Sequence, residues 1–293
     1  MMIDPKQLSF GRNETFFLRS GWVAKGLAAY KTNQKIFNEP HAPLTLGVGK
    51  NMVLSIRYWL KAYGIVDAEG EITEFGEKLF DSESGLDPYS EDELTLWLLH
   101  WQLCKNPTEG TLYFWFFNIF KKANFTLSQL EKDLDEWLAK YDKTVSANTL
   151  KRDRALLLKT YLSKSSEETA PEDFLDNPFS NLNLLNLSRD ERTYSCPVKL
   201  RSGISPKLIG FCLADLQREE ALTRVPLDFF IDEKEQVSLT GVFKIDRDNL
   251  TILVEELAIK FPDFISMEDG IEGKSIIFHK LIDPFFFLES KEQ

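Results

Sequence analysis

A chain of 293 residues, 43% hydrophobic and 28% charged, is long enough for two or three modest domains with real cores. Its net charge of −11 argues against indiscriminate nucleic-acid binding, and none of its apolar runs approaches bilayer-spanning length. Three scattered cysteines, Cys104, Cys196 and Cys212, suit free thiols in a reducing compartment, and Met1 to Lys6 lacks a signal peptide's pattern, so a cytoplasmic location is expected, with no membrane partner.

Charge is uneven along the chain. Residues 1–62 hold nine basic and three acidic side chains, a net of +6. Residues 63–100 hold one lysine and eleven acids, a net of −10. A cationic front can attract phosphate while an acidic remainder suppresses promiscuous contacts. Both blocks also suit an ordinary solvated surface. His41, His100 and His279 are isolated, and His100 lies in an apolar helical pattern that places it in or beside a core.

Near the start, Gly11 to Glu14 sets turn chemistry beside an arginine and a carboxylate, with Phe10, Phe16, Phe17 and Trp22 to anchor it and Arg19 five residues on. Such a cluster is a site or a structural ion pair. A helix is expected over 18–31, then a loop to the Gly47/Gly49 turn. That turn lacks Walker spacing, since Lys50 is followed by Asn51. From Lys50 to Tyr63, Met52, Val53, Ile56, Trp59, Leu60 and Tyr63 recur at helical spacing and predict an amphipathic helix. Asn51, Ser55 and Tyr58 would form one outward stripe and Lys50, Arg57 and Lys61 a second, the shape of a DNA recognition helix. An apolar run at 64–66, a turn at 67–70, a return at 71–75 and a helix at 76–80 complete winged-helix order; the plain alternative is a surface helix beside a hairpin.

Ser90 with Glu93 reads as a capping box that starts a helix at Glu91. The aromatic run Thr111–Phe120 predicts a buried helix. Thr126 with Gln129 caps a helix from Leu127 to about Tyr141, and a second amphipathic helix spans 148–161, with Lys151, Arg152, Arg154 and Lys159 outside and Asp153 partly neutralising them. This pair is helix-turn-helix-like, or a solvated basic helix. Residues 163–173, rich in Ser, Glu, Thr and Pro, predict a domain boundary. Beyond it, strands are expected at 194–201 and 238–244, helices from Ser205-Pro206 to Leu216 and over 247–260, and a hairpin over 264–279 around Asp269-Gly270.

The expected fold is therefore mainly α with small β (α+β), with winged-helix or helix-turn-helix units joined by a helical bundle. Three domains are expected: 1–82, a winged-helix-like DNA-binding domain; 83–165, helical with the second helix-turn-helix-like unit; and 166–293, α+β.

Phe10-Gly11-Arg12-Asn13-Glu14-Thr15-Phe16 with Leu18-Arg19-Ser20-Gly21-Trp22, and Leu46 to Val53 with Ser55-Ile56-Arg57-Tyr58-Trp59, carry a family likeness. Ser146 to Tyr161 around Thr149, Leu150 and Asp153, and Phe243-Lys-Ile-Asp246, agree with it. The chain resembles a bacterial domain-of-unknown-function family, the one numbered four thousand and seven. The resemblance implies a DNA-acting component of phosphorothioate modification and phage defence, partnered by a cysteine desulfurase and sulfur-transferring enzymes.

Two functions follow as expectations. In one, the chain nicks or opens one strand for sulfur insertion, with Lys50, Asn51, Ser55, Arg57, Tyr58, Lys61, Lys151, Arg152 and Arg154 on DNA. Glu14 would then hold Mg²⁺ or Mn²⁺ while Arg12 and Arg19 clamp a phosphate, with Asn13 a fourth candidate catalytic residue. In the other, a non-catalytic adaptor or transcription-type regulator uses the same winged helix and recruits partner enzymes through the acidic 63–100 region. A homodimer is expected by analogy with winged-helix proteins.

Overall fold

The computed structural model describes residues 4–163, 177–231, 236–271 and 273–289. The architecture is mainly α with two small antiparallel sheets, and the chain groups into two compact units. The larger takes 4–116 and 122–196; the smaller takes 117–121 and the described residues from 197 onward. The segments expected as 1–82 and 83–165 thus share one unit, apart from 117–121. The expected boundary at 163–173 falls, from 164, outside the described residues.

The larger unit is built from packed helices. α1 (Trp22–Thr32) crosses α3 (Lys50–Ala62) so closely that a Cβ on Gly26 would lie 2.5 Å from Ile56 Cγ2. The five-residue α2 (Ala42–Leu46) ends in the Gly47 turn that feeds α3. After α3 the expected wing is a single bridge, Val66 with Ile72, closed by Asp67 accepting from the Gly70 and Glu71 N–H groups. α4 (Glu74–Phe80) follows, capped by Thr73. α5 (Glu93–Lys105) is apolar nearly all round, as a helix enclosed by others must be, and Thr95 to Cys104 are all buried. His100 is fully buried there, its Nδ1 2.8 Å from the Tyr161 hydroxyl.

α6 (Thr111–Phe114) runs into a π-helical turn, Trp115–Ile119. α7 (Leu127–Lys140) opens on the expected Thr126/Gln129 capping box, and α8 (Ala147–Tyr161) on Ser146. β1 (Asn124–Phe125), β2 (Asn186–Leu187) and β3 (Tyr194–Ser195) form a sheet in the order β1–β3–β2, with Phe125 opposite Tyr194. Rings of Trp59, Tyr63 and Phe179 stack in series through the core, with centroids 5.2 and 5.7 Å apart.

In the smaller unit, α9 (Pro206–Glu220) starts where Ser205-Pro206 predicts, with the Ser205 hydroxyl accepting from Leu208 N–H. β4 (Arg224–Pro226), β6 (Gly273–Phe278) and β5 (Ile265–Gly270) make an antiparallel sheet in that order, β5 and β6 being the expected hairpin. α11 (Arg247–Lys260) matches its predicted span, and α12 (Phe286–Glu289) ends the described chain.

Three local expectations are corrected. Residues 239–243 form a short helix, α10 (Leu239–Phe243), because the Ser238 hydroxyl caps Gly241 N–H. Ser90 takes φ +57° and does not cap; the Asp87 carboxylate accepts from Glu91 and Asp92 N–H, and α5 begins two residues later than expected. Pairing after Tyr194 stops at Ser195, short of the expected Arg201.

Candidate functional site

Residues 9–16 form a strap across helices of the larger unit. Ser9 N–H donates to Thr111 Oγ1 (2.9 Å), and Ser9 Oγ donates to Thr108 O. Gly11 N–H donates to Asp153 Oδ2 at 2.7 Å. Gly11 has φ +72°, and a Cβ there would lie 2.9 Å from the Thr149 methyl, so both backbone and space demand glycine. Asn13 is buried, accepts from Thr15 N–H and is hydrogen-bonded to Asp153. Glu14 and Thr15 then take successive left-handed conformations. Beyond them Phe16 O accepts from Ser55 Oγ (3.3 Å) and from the Trp59 indole (3.0 Å). Three of the four stretches that carry the family likeness thus meet at one place.

Beneath the strap lies a crevice of about 10 Å³, lined among others by Tyr58, Glu109, Tyr113 and Asp153. That is room for roughly one water, too little for a substrate. Burial raises the Asp153 pKa above its usual range, opposed by the Gly11 N–H, Arg152 and the Asn13 amide. Burial also pushes the Tyr58 and Tyr113 hydroxyls upward.

Of the four expected catalytic residues, Arg12 and Asn13 line this crevice. Arg12 Nη1 lies 3.2 Å from both oxygens of Glu109, a partner 97 residues away that no local pattern announces. Asn13 holds the strap. Glu14 is half-exposed at a left-handed backbone position, and the Arg19 guanidinium lies 5.8 Å from the Trp22 ring centroid. Among the described residues no group of three His, Cys, Asp or Glu side chains could hold a metal. Asp153, expected from sequence to neutralise its basic neighbours, is instead the strap's anchor.

Of the expected DNA contacts, Lys50 and Asn51 are exposed at the first turn of α3. Gly49 gives that helix no side-chain cap, and added Cβ atoms at Gly47 and Gly49 would meet nothing within 4 Å, so the chain entering the helix is uncrowded there. Arg57 is exposed and donates to Asn38 Oδ1 (3.0 Å); Lys61 Nζ is 3.4 Å from Ala68 O. Both line a cleft of about 270 Å³ with Tyr30, Asn38, Glu69 and Gly70.

Ser55 and Tyr58 are corrected from outward to inward. Ser55 is 0% exposed beneath the strap, and the Tyr58 hydroxyl donates to Glu109 O at 3.0 Å. The polar stripe that begins at Asn51 runs under packed chain within one turn. Lys151 and Arg152 are exposed on α8, but Arg154 is 8% exposed and ion-paired to Glu131 (2.6 Å), so it is corrected too.

Among the described residues no helix is long and apolar enough to cross a membrane. No curated protein matches the chain in sequence. Two SspB crystal structures share its fold, one of them magnesium ion-bound: TM-score 0.85 at 23% identity for that one and 0.82 at 24% for the other, each covering 96% of this chain and 87% of its own. A family profile described as "Protein of unknown function (DUF4007)" matches residues 10–285. The chain belongs to this DUF4007 family.

Proposed function

We propose that the chain is a DNA-binding component of a bacterial phosphorothioate-modification and phage-defence system. In this reading it positions DNA for a cysteine desulfurase and sulfur-transferring enzymes. The observation that carries it is the uncrowded N-terminus of α3, without a side-chain cap, with Lys50 and Asn51 beside it and Arg57 two turns on. Helix N-termini bind phosphate through unpaired N–H groups and the helix dipole, and lysines add charge without reading sequence. Asn51 is the one residue of the predicted base-reading stripe that remains accessible, and the Val66–Ile72 bridge pair would serve as a short wing. Lys151 and Arg152 supply further cationic contacts.

The geometry favours the non-catalytic reading over nicking. Arg12 and Asn13 are engaged in fixing the strap, which supports that reading.

The test is anisotropy on a labelled duplex across a salt series, run beside supercoiled plasmid with Mg²⁺ or Mn²⁺. Lys50→Glu with Arg57→Glu is expected to weaken binding and flatten the slope of log K against log salt by about 2. The plasmid is expected to shift without nicking. Unchanged affinity in the double variant overturns the DNA surface; nicking that co-purifies with the protein and is lost in Glu14→Ala overturns the adaptor reading.

A further inference from the structure

The smaller unit is acidic as a whole, with 13 basic and 18 acidic side chains, yet part of it is locally basic. Its segments 117–121, 197–214 and 238–245 carry Lys121, Lys199, Arg201, Lys207 and Lys244 and no acidic residue. Four of the five are drawn together. Lys121 Nζ donates to Asn118 O at 2.7 Å, and Lys244 Nζ donates to Phe117 O at 3.2 Å, neighbouring carbonyls of the π-helical turn. Lys199 N–H donates to Lys244 O (2.9 Å). The buried Arg201 guanidinium donates to the carbonyls of Pro197, Lys199, Phe243 and Lys244, which pins 197–201 against 243–244.

Two features set this cluster apart from ordinary surface lysines. Lys244 occupies the left-handed position that ends α10, φ +49°, where glycine would sit without strain. The turn that supplies the carbonyls is itself π-helical, a distortion that recurs at functional sites.

We infer that Lys121 and Lys244 form a phosphate clamp in the smaller unit, a second contact with the backbone of a DNA strand in addition to α3. This rests on the DNA-binding reading above. The two ammonium groups repel each other: burial, and then Lys244, lowers the Lys121 pKa to about 8. A phosphodiester beside both would offset that repulsion, and the adjacent carbonyls fix both side chains before the anion arrives. Lys199, exposed on the same pinned segment, extends the clamp along the strand.

The test uses the full-length chain, a labelled duplex and a salt series. Lys121→Gln and Lys244→Gly are each expected to weaken binding about three- to tenfold and to flatten the salt slope by about 1, whatever the sequence of the duplex. Lys121→Arg is expected to bind as wild type. Lys244→Gly relieves the left-handed backbone, so it carries the test should Lys121→Gln fold poorly by thermal melt. If Lys121→Gln and Lys244→Gly bind as wild type while Lys50→Glu weakens binding, the clamp is overturned and the α3 surface stands. Loss in Lys121→Arg equal to that in Lys121→Gln overturns it as well. If the wild-type protein binds no DNA, both readings fall.

Discussion

Replacing Asp153 tests whether the strap over α8 is held by a hydrogen bond or by a charge. The carboxylate accepts from Gly11 N–H at 2.7 Å and from the Asn13 amide, and it is 5% exposed. Asp153→Ala leaves both donors without that acceptor. A hydrogen bond to a charged group contributes about 1.5–3 kcal/mol, so a loss near 2 kcal/mol, or roughly 4–8 °C in Tm, is expected for a unit of this size. Asp153→Asn keeps an acceptor oxygen and removes the desolvated charge, so it should stay within about 1 kcal/mol of wild type at pH 7.

The pH dependence has a definite sign. Burial raises the folded pKa of Asp153, so the folded state favours the protonated acid. Its ionisation therefore weakens the fold as pH rises from the unfolded carboxylate value through the raised folded one. The stability of Asp153→Asn relative to wild type should be better at pH 7 than at pH 4. The assay is urea unfolding of all three proteins at both pH values. An Asn variant as unstable as the Ala variant at pH 7, or an Ala variant as stable as wild type, would refute the account of the strap.

The other predictions concern packing and reactivity. Gly11→Ala should cost about 1–3 kcal/mol, from the left-handed backbone and from the 2.9 Å approach to the Thr149 methyl. Adding Thr149→Ser should recover only the steric part; additive losses in denaturant midpoint would show that the methyl is not in the way. Lys121, with its pKa lowered to about 8, should be the first lysine labelled by a limiting acylating reagent near neutral pH. At pH 7.4 roughly a fifth of it is neutral, against about a thousandth of an ordinary lysine. Peptide mapping that finds Lys121 labelled no faster than Lys50 would contradict this, and bound duplex should protect it.

Elements with strong local signals are legible in the sequence. Thr126/Gln129, Ser205-Pro206 and the apolar stripe of 247–260 each mark a helix that forms where expected. The differences have two physical sources. In short segments a cap decides the outcome: Ser238 turns 239–243 into a helix too brief to show periodicity, and Asp87 displaces Ser90. At the site, polarity does not mean exposure. Ser55, Tyr58 and Arg154 are polar residues satisfied inside, by Phe16 O, Glu109 O and Glu131, and each partner lies at least 23 residues away in sequence. The strap's motif is visible in sequence; that Asp153 secures it is not, because only folding brings residue 153 to residue 11.

The five residues 117–121 belong to the smaller unit although both flanking stretches belong to the larger. A fragment cut at Pro197 would therefore lose the Asn118 amide oxygen that receives Ser238 N–H at 2.9 Å, together with the Phe117 carbonyl that holds Lys244. The complementary fragment would keep that stretch with nothing to fold against. Deletion mapping, the usual first step in assigning tasks to halves of a protein, would here yield two misfolded products and make every part look indispensable. Single substitutions in the intact polypeptide are the route to dividing labour between its halves.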